Sequence, residues 1–213
     1  MRTFAWAAAA LLAGCGGAGE GGRDSGREGD PPPAGRSAAE APASAPKPEA
    51  AAPPVLTAEG FGPLRIGMSR AEVVKALGED SDPQAVGGPD PESCDMFRPK
   101  RAPQGMLVMI EAGRLTSVSL IGDSKVRTDR GLGLGASAAQ VKAAYGKALR
   151  AGPHKYEEAP AEYLTIWTKD GPSGEAHETA PAARGISYEV GAKGRVQGIH
   201  AGGPSIQYVE GCA

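Results

Sequence analysis

Leu64-Arg-Ile-Gly-Met-Ser-Arg-Ala-Glu-Val-Val-Lys-Ala-Leu-Gly78 aligns without a gap on Leu132-Gly-Leu-Gly-Ala-Ser-Ala-Ala-Gln-Val-Lys-Ala-Ala-Tyr-Gly146. Leu, Gly, Ser, Ala, Val, Ala and Gly coincide at matched places, so the chain reads as an internal repeat. Ser69 with Glu72, and Ser137 with Gln140, have the spacing of a capping box, in which side chain and backbone donors satisfy each other. Gly78 and Gly146 stand where a helix ends on a residue free to take a positive φ. Between these stops, Ala71, Val73, Val74 and Leu77, then Val141, Ala144 and Tyr145, recur at helical spacing. Each copy therefore predicts one amphipathic helix of two to three turns, too short to stand without a packing partner.

Strands supply that partner. Met106 to Glu111 and Leu115 to Ile121 read as a hairpin around Ala112-Gly113. Gly185 to Val190 and Val196 to Ala201 read as its counterpart around Gly191-Ala-Lys-Gly194. Tyr163 to Lys169 adds a strand to the second copy, and Ile206 to Val209 is expected as a last edge strand. Helix first and antiparallel strands after is an α+β order. The expected architecture is two tandem repeats, 57–127 and 128–213, forming one sheet with helices packed on one face.

The G-x-S-x-x-[EQ]-V-x-x-x-x-G helix, followed by a hairpin whose turn carries Gly-Arg (Gly113-Arg114, Gly194-Arg195), resembles the small outer-membrane lipoproteins of the SmpA/OmlA class. Two copies in tandem resemble the β-lactamase inhibitor protein architecture. That resemblance implies an eight-stranded sheet with helices on one face and the other presented to a partner. The inhibitor's contact residues have no one-for-one match here. The Pro- and Gly-rich insert from Asp80 to Cys94 has no equivalent in it.

Ahead of the repeats, Met1-Arg2 opens an apolar run that closes on Leu12-Ala13-Gly14-Cys15. The run is too short to span a bilayer, and it ends in small residues before a cysteine. It resembles bacterial lipoprotein signals. The resemblance implies cleavage before Cys15, diacylation of its sulfur with chains such as palmitate, and acylation of the new amino terminus. Several chains on one residue hold far more firmly than one, at about 0.8 kcal/mol per buried methylene. Gly16 rather than Asp follows Cys15, which in such lipoproteins favours the outer membrane. Segment 16–55 is rich in Gly, Ala and Pro, lacks aromatics, and has no apolar bulk before Val55. Such a segment is expected to stay disordered, a tether with a typical reach of roughly 35 Å.

The remaining chain, 56–213, suits one globular domain. The 23 basic and 25 acidic residues of the whole chain are unclustered and nearly balanced, which argues against nucleic acid as a partner. With Cys15 acylated, Cys94 and Cys212 form an even pair in an oxidising compartment and are expected to be disulfide-bonded; two buried thiols are the rival reading. Gly131-Leu-Gly-Leu-Gly135 lacks dinucleotide-loop spacing. His154, His177 and His200 are too dispersed for a metal site and read as solvated or hydrogen-bonded. No metal or cofactor is expected.

Gly122-Asp123-Ser124 resembles the nucleophile block of GDSL-type esterases, yet the downstream Asp-x-x-His of that family is absent. Without a positioned base a serine is a poor nucleophile, and a polar turn is the simpler reading. No catalytic residue is assigned. Aromatic placement is the positive clue. In Tyr163-Leu-Thr-Ile-Trp167, alternation separates Leu164 and Ile166 from Tyr163, Thr165 and Trp167. Either set could face the core; if the aliphatic set does, Tyr163 and Trp167 lie on an open face, where aromatics serve as contact anchors. Tyr188 could join either side. The expected function is a lipid-anchored, non-enzymatic binding module of the bacterial envelope, on the outer membrane facing the periplasm. Tyr163, Trp167 and Tyr188 are its contact candidates, and its partner a protein or a cell-wall glycan. The alternatives are a hydrolase using Ser124 and an envelope scaffold or spacer.

Overall fold

Both repeat helices start and stop at the capping residues. The computed structural model describes residues 53–85, 87–169 and 177–212. The leader, Cys15 and the tether up to residue 52 lie outside the described residues. In chain order the elements are β1 (Leu56–Thr57), β2 (Gly60–Phe61), α1 (Arg70–Leu77), β3 (Cys94–Phe97), β4 (Met106–Glu111), β5 (Arg114–Ile121), α2 (Ala138–Tyr145), β6 (Arg150–Pro153), β7 (Glu162–Lys169), β8 (Arg184–Val190) and β9 (Val196–Gly202). Short 3-10 turns follow α2 and β9, at Gly146–Ala148 and Pro204–Gln207.

The capping boxes are complete. Ser69 N–H donates to Glu72 Oε2 at 2.8 Å and Ser137 N–H to Gln140 Oε1 at 2.9 Å. The return bonds, Glu72 N–H to Ser69 Oγ and Gln140 N–H to Ser137 Oγ, measure 3.3 and 3.2 Å. Both helices end at glycines of positive φ, 91° at Gly78 and 53° at Gly146. Their buried stripe is narrower than periodicity alone suggests. Val73, Leu77 and Val141 are buried, whereas Ala71 and Ala144 are exposed.

Each helix is tied to the turn of its own hairpin by the same atoms. Gly67 N–H donates to Leu115 O and Leu115 N–H to Met68 O, at 2.8 and 2.7 Å. Gly135 N–H donates to Val196 O and Val196 N–H to Ala136 O, at 2.8 and 2.9 Å. Arg114 and Arg195 each reach back 3.3 Å from Nη1 to the carbonyls of Gly67 and Gly135. The Gly-Arg turns are thus the places where hairpin and helix entrance join.

The fold is α+β, built on a seven-stranded antiparallel sheet in the order β3-β4-β5-β9-β8-β7-β6. β1 and β2 form a separate two-stranded ribbon. The eight-stranded sheet that the resemblance implied is not what the described residues form. The two hairpins meet at the centre, where β5 pairs with β9. On one face, Val73 and Val141 from the helices join Phe97, Leu120, Leu164 and Ile199 in a single core cluster.

The edge strand expected at Ile206 to Val209 is a 3-10 turn and an extended tail instead. β9 already pairs with β5 on one side and β8 on the other, so the segment that follows finds no place beside it, and Pro204 offers no N–H to a ladder. The tail crosses the sheet's second face: the Pro204–Gln207 turn contacts β5, β8 and β9. Beyond it, Gly211 lies so close to the Met96 sulfur that no side chain fits between them. Leu107, Met109 and Ile206 are buried outside the main cluster. Cys212 closes the strap on Cys94 as a disulfide, their Cα atoms 5.5 Å apart across a separation of 118 residues.

Four strands were unanticipated, the short pair β1 and β2 and, in the main sheet, β3 and β6. β3 falls at the end of the Asp80–Cys94 insert, and β6 holds Gly152 and Pro153 with no alternation. Proline is tolerated in β6 because that strand is the sheet's edge.

Candidate functional site

The register of β7, β8, β9 and β5 lays side chains out in rows on the second face. One row runs Tyr163, Glu189, Gly198; the next runs Thr165, Ser187, His200, Ser119; the third runs Trp167, Gly185, Gly202. Leu164 and Ile166, 0% and 3% exposed, point to the helices. Tyr163, Thr165 and Trp167, all half-buried, therefore occupy the face that the helices leave open. They line a groove of about 700 Å³. One wall is Leu149 to Pro153, and the other is the strap from Ile206 to Val209.

Two glycines make room for the floor. A Cβ at Gly185 would come 2.6 Å from Cε3 of Trp167, so the indole sits over a position that only glycine can occupy. A Cβ at Gly198 would stand 2.9 Å from Glu189 Oε2 and 3.1 Å from His200 Nε2. The missing side chain lets a carboxylate and an imidazole approach each other at the centre of the floor.

Glu189 is the hub. Its Oε1 accepts from His154 Nε2 at 3.1 Å and from Gln197 Nε2 at 2.8 Å. His200 Nε2 stands 3.6 Å from its other oxygen. His200, foremost, with the Gln197 and His154 donors, holds the Glu189 carboxyl down to about 2, against the opposing cost of burial. The tautomer of His154 follows from its partners. Its Nδ1 accepts backbone N–H groups of Tyr156 and Glu157 at 3.2 and 3.0 Å, so the ring proton is on Nε2, facing Glu189. The ring stacks on Tyr163 with centroids 4.8 Å apart. Glu157 extends the network, accepting from Ala192 N–H at 2.7 Å and Gln197 Nε2 at 3.0 Å. Hydrogen bonds from Gln197 and Ala192 lower its pKa.

Ser119, His200 and Glu189 follow the hydrogen-bond order of a nucleophilic site. With Nε2–H turned to Glu189, His200 Nδ1 accepts the Ser119 hydroxyl at 2.9 Å. Ser119 is only 6% exposed, however, and does not line the groove. From that buried position the Ser119 hydroxyl pins the imidazole.

Tyr188 must be removed from the contact candidates. It shares a strand face with Ile186 and Val190 and is fully buried beneath α2. Its hydroxyl meets Tyr145 Oη at 2.8 Å and donates to Thr128 Oγ1 at 3.2 Å. Burial pushes its pKa up. Ser124 is likewise buried, and its Oγ has no hydrogen-bond partner among the described residues, hence no base to activate it. Cys15 lies outside the described residues. Among those residues no three His, Cys, Asp or Glu side chains converge as a metal site.

The polar floor was missed in the sequence. Glu189 and His200 do alternate outward in their strands, which was a usable signal. Their meeting with His154 depends on strand register and on the loop after β6. The chain matches no protein-family model, no curated protein and no solved structure.

Proposed function

We propose that this protein is a lipid-anchored binding module of the bacterial envelope, moored through acylated Cys15 to the outer membrane and facing the periplasm. Its groove takes a periplasmic or surface partner, a protein or a cell-wall glycan, without chemistry on it. The observation that carries this reading is the face left open by the helices, where Trp167 and Tyr163 line a groove instead of a core. The disulfide between Cys94 and Cys212 is in keeping with an oxidising compartment. Among the described residues no helix is long and apolar enough to cross a membrane, so the anchor in this reading is the lipid alone.

We also infer that the domain arose by tandem duplication. The matched capping boxes, the matched helix-to-turn hydrogen bonds and the central pairing of β5 with β9 support it. The resemblance to the SmpA/OmlA class and to the β-lactamase inhibitor protein belongs to the same proposal.

Two measurements test it. Replacing Cys15 by Ser should move the protein from the membrane to the soluble fraction and abolish incorporation of labelled palmitate. Unchanged membrane partition would remove the anchor. Trp167→Ala should weaken partner retention about tenfold while the melting transition stays cooperative. Undiminished retention by a folded variant would rule out the groove as the contact surface.

A further inference from the structure

The chemistry of the groove narrows the choice of partner. Its floor is the face of a sheet whose central strands are paired on both sides, so backbone N–H and C=O groups there are already engaged. An extended peptide laid on that floor, inward of the β6 edge, would find no ladder to join, and recognition there has to come from side chains. The carboxylate of the floor is also answered from within. Glu189 already has His154, Gln197 and His200 around it, which leaves little for a cationic ligand to gain.

What the floor does offer is groups that both donate and accept. Thr165 Oγ1, half-buried, is held by a 2.9 Å hydrogen bond with the buried Ser187 hydroxyl and keeps further capacity. Tyr208, 44% exposed, brings a phenol from the strap. Beside them lies the Trp167 indole, seated by Gly185, with an N–H for which no partner exists among the described residues. Hydroxyls that donate and accept, next to a flat apolar ring, complement a molecule with the same two properties.

We infer that the groove binds an uncharged oligosaccharide segment, its hydroxyls on Thr165 and Tyr208 and an apolar sugar face on Trp167. This rests on the binding-module reading and makes its glycan branch specific. A charged peptide is the competing class.

The test uses the full chain in detergent with the tetramer of β-1,4-linked N-acetylglucosamine as probe, and an acidic and a basic tetrapeptide as controls. Of the protein's 2 tryptophans, Trp6 precedes Cys15 and is removed with the leader in this reading, so emission of the acylated protein reports on Trp167 alone. The tetrasaccharide should cause a saturable change in that emission, unaltered between low and high salt, while neither peptide does. By calorimetry, Trp167→Ala should bind the sugar about tenfold more weakly, and Thr165→Val more weakly than wild type. Absence of sugar binding, or salt-sensitive binding of a tetrapeptide in its place, overturns the inference. If the sugar fails while Trp167→Ala still releases a partner from the envelope, only the ligand class falls. If neither effect is seen, the binding module falls with it.

Discussion

Replacing Cys94 and Cys212 by serine should cost the domain about 4–5 kcal/mol, the largest effect of any conservative double substitution here. The bond closes a loop over 118 residues, and the entropy it removes from the unfolded chain grows with the logarithm of that length. For a domain of this size the loss corresponds to a fall in melting temperature of roughly 10–20 °C. The effect is not confined to the unfolded state. The bond secures the end of the strap whose Ile206 to Val209 stretch walls the groove. Glu210 also accepts hydrogen bonds from Lys155 Nζ at 3.0 Å and from the Tyr156 hydroxyl. Reduction should therefore raise hydrogen exchange in residues 208–212 before the sheet itself opens. Equal melting temperatures with and without reductant would show that the strap does not depend on the bond.

Acid should destabilise the protein, with Glu189 as the leading carboxylate. Glu189 titrates at about 2 in the folded state against an ordinary value of 4.5. As pH falls, the unfolded chain takes up that proton first, so stability present above about 4.5 is lost progressively down to about 2. The difference corresponds to about 3 kcal/mol. Urea unfolding across this window should show a steep loss in the wild type and a shallower one in Glu189→Gln. Parallel losses would assign the acid sensitivity to other groups. Because Glu189 anchors His154, the loop after β6 should loosen over the same range.

Much of the architecture was legible in one dimension. α1 and α2 fall where Ser69, Gly78, Ser137 and Gly146 predicted them, because a capping box and a glycine stop act within a few residues. β4 has the bounds expected for it, and β5, β8 and β9 each differ by one residue at an end. Turn glycines and alternation are local as well. β6 escaped notice because an edge strand needs neither alternation nor a full set of N–H groups. The tail after Gly202 was misread because strand-like composition says nothing about whether the sheet has a place beside the preceding strand.

The candidate site was less legible. Alternation in β7 separated Tyr163 and Trp167 from Leu164 and Ile166 without saying which pair was buried. Tyr188 could have been placed with Ile186 and Val190, whose parity it shares. Alternation could have turned Glu189 and His200 outward, but no spacing brings them together with His154 and Gln197.

By itself the order of residues determined where the helices and hairpins begin and end, since those choices are settled by hydrogen bonds within a turn or two of chain. Only the folded sheet decided that β5 pairs with β9, which rows align, and that a carboxylate and two imidazoles share one floor. Pairing between distant strands is chosen by the burial of a whole face at once, and a shift of one residue would turn every side chain in those rows to the other side.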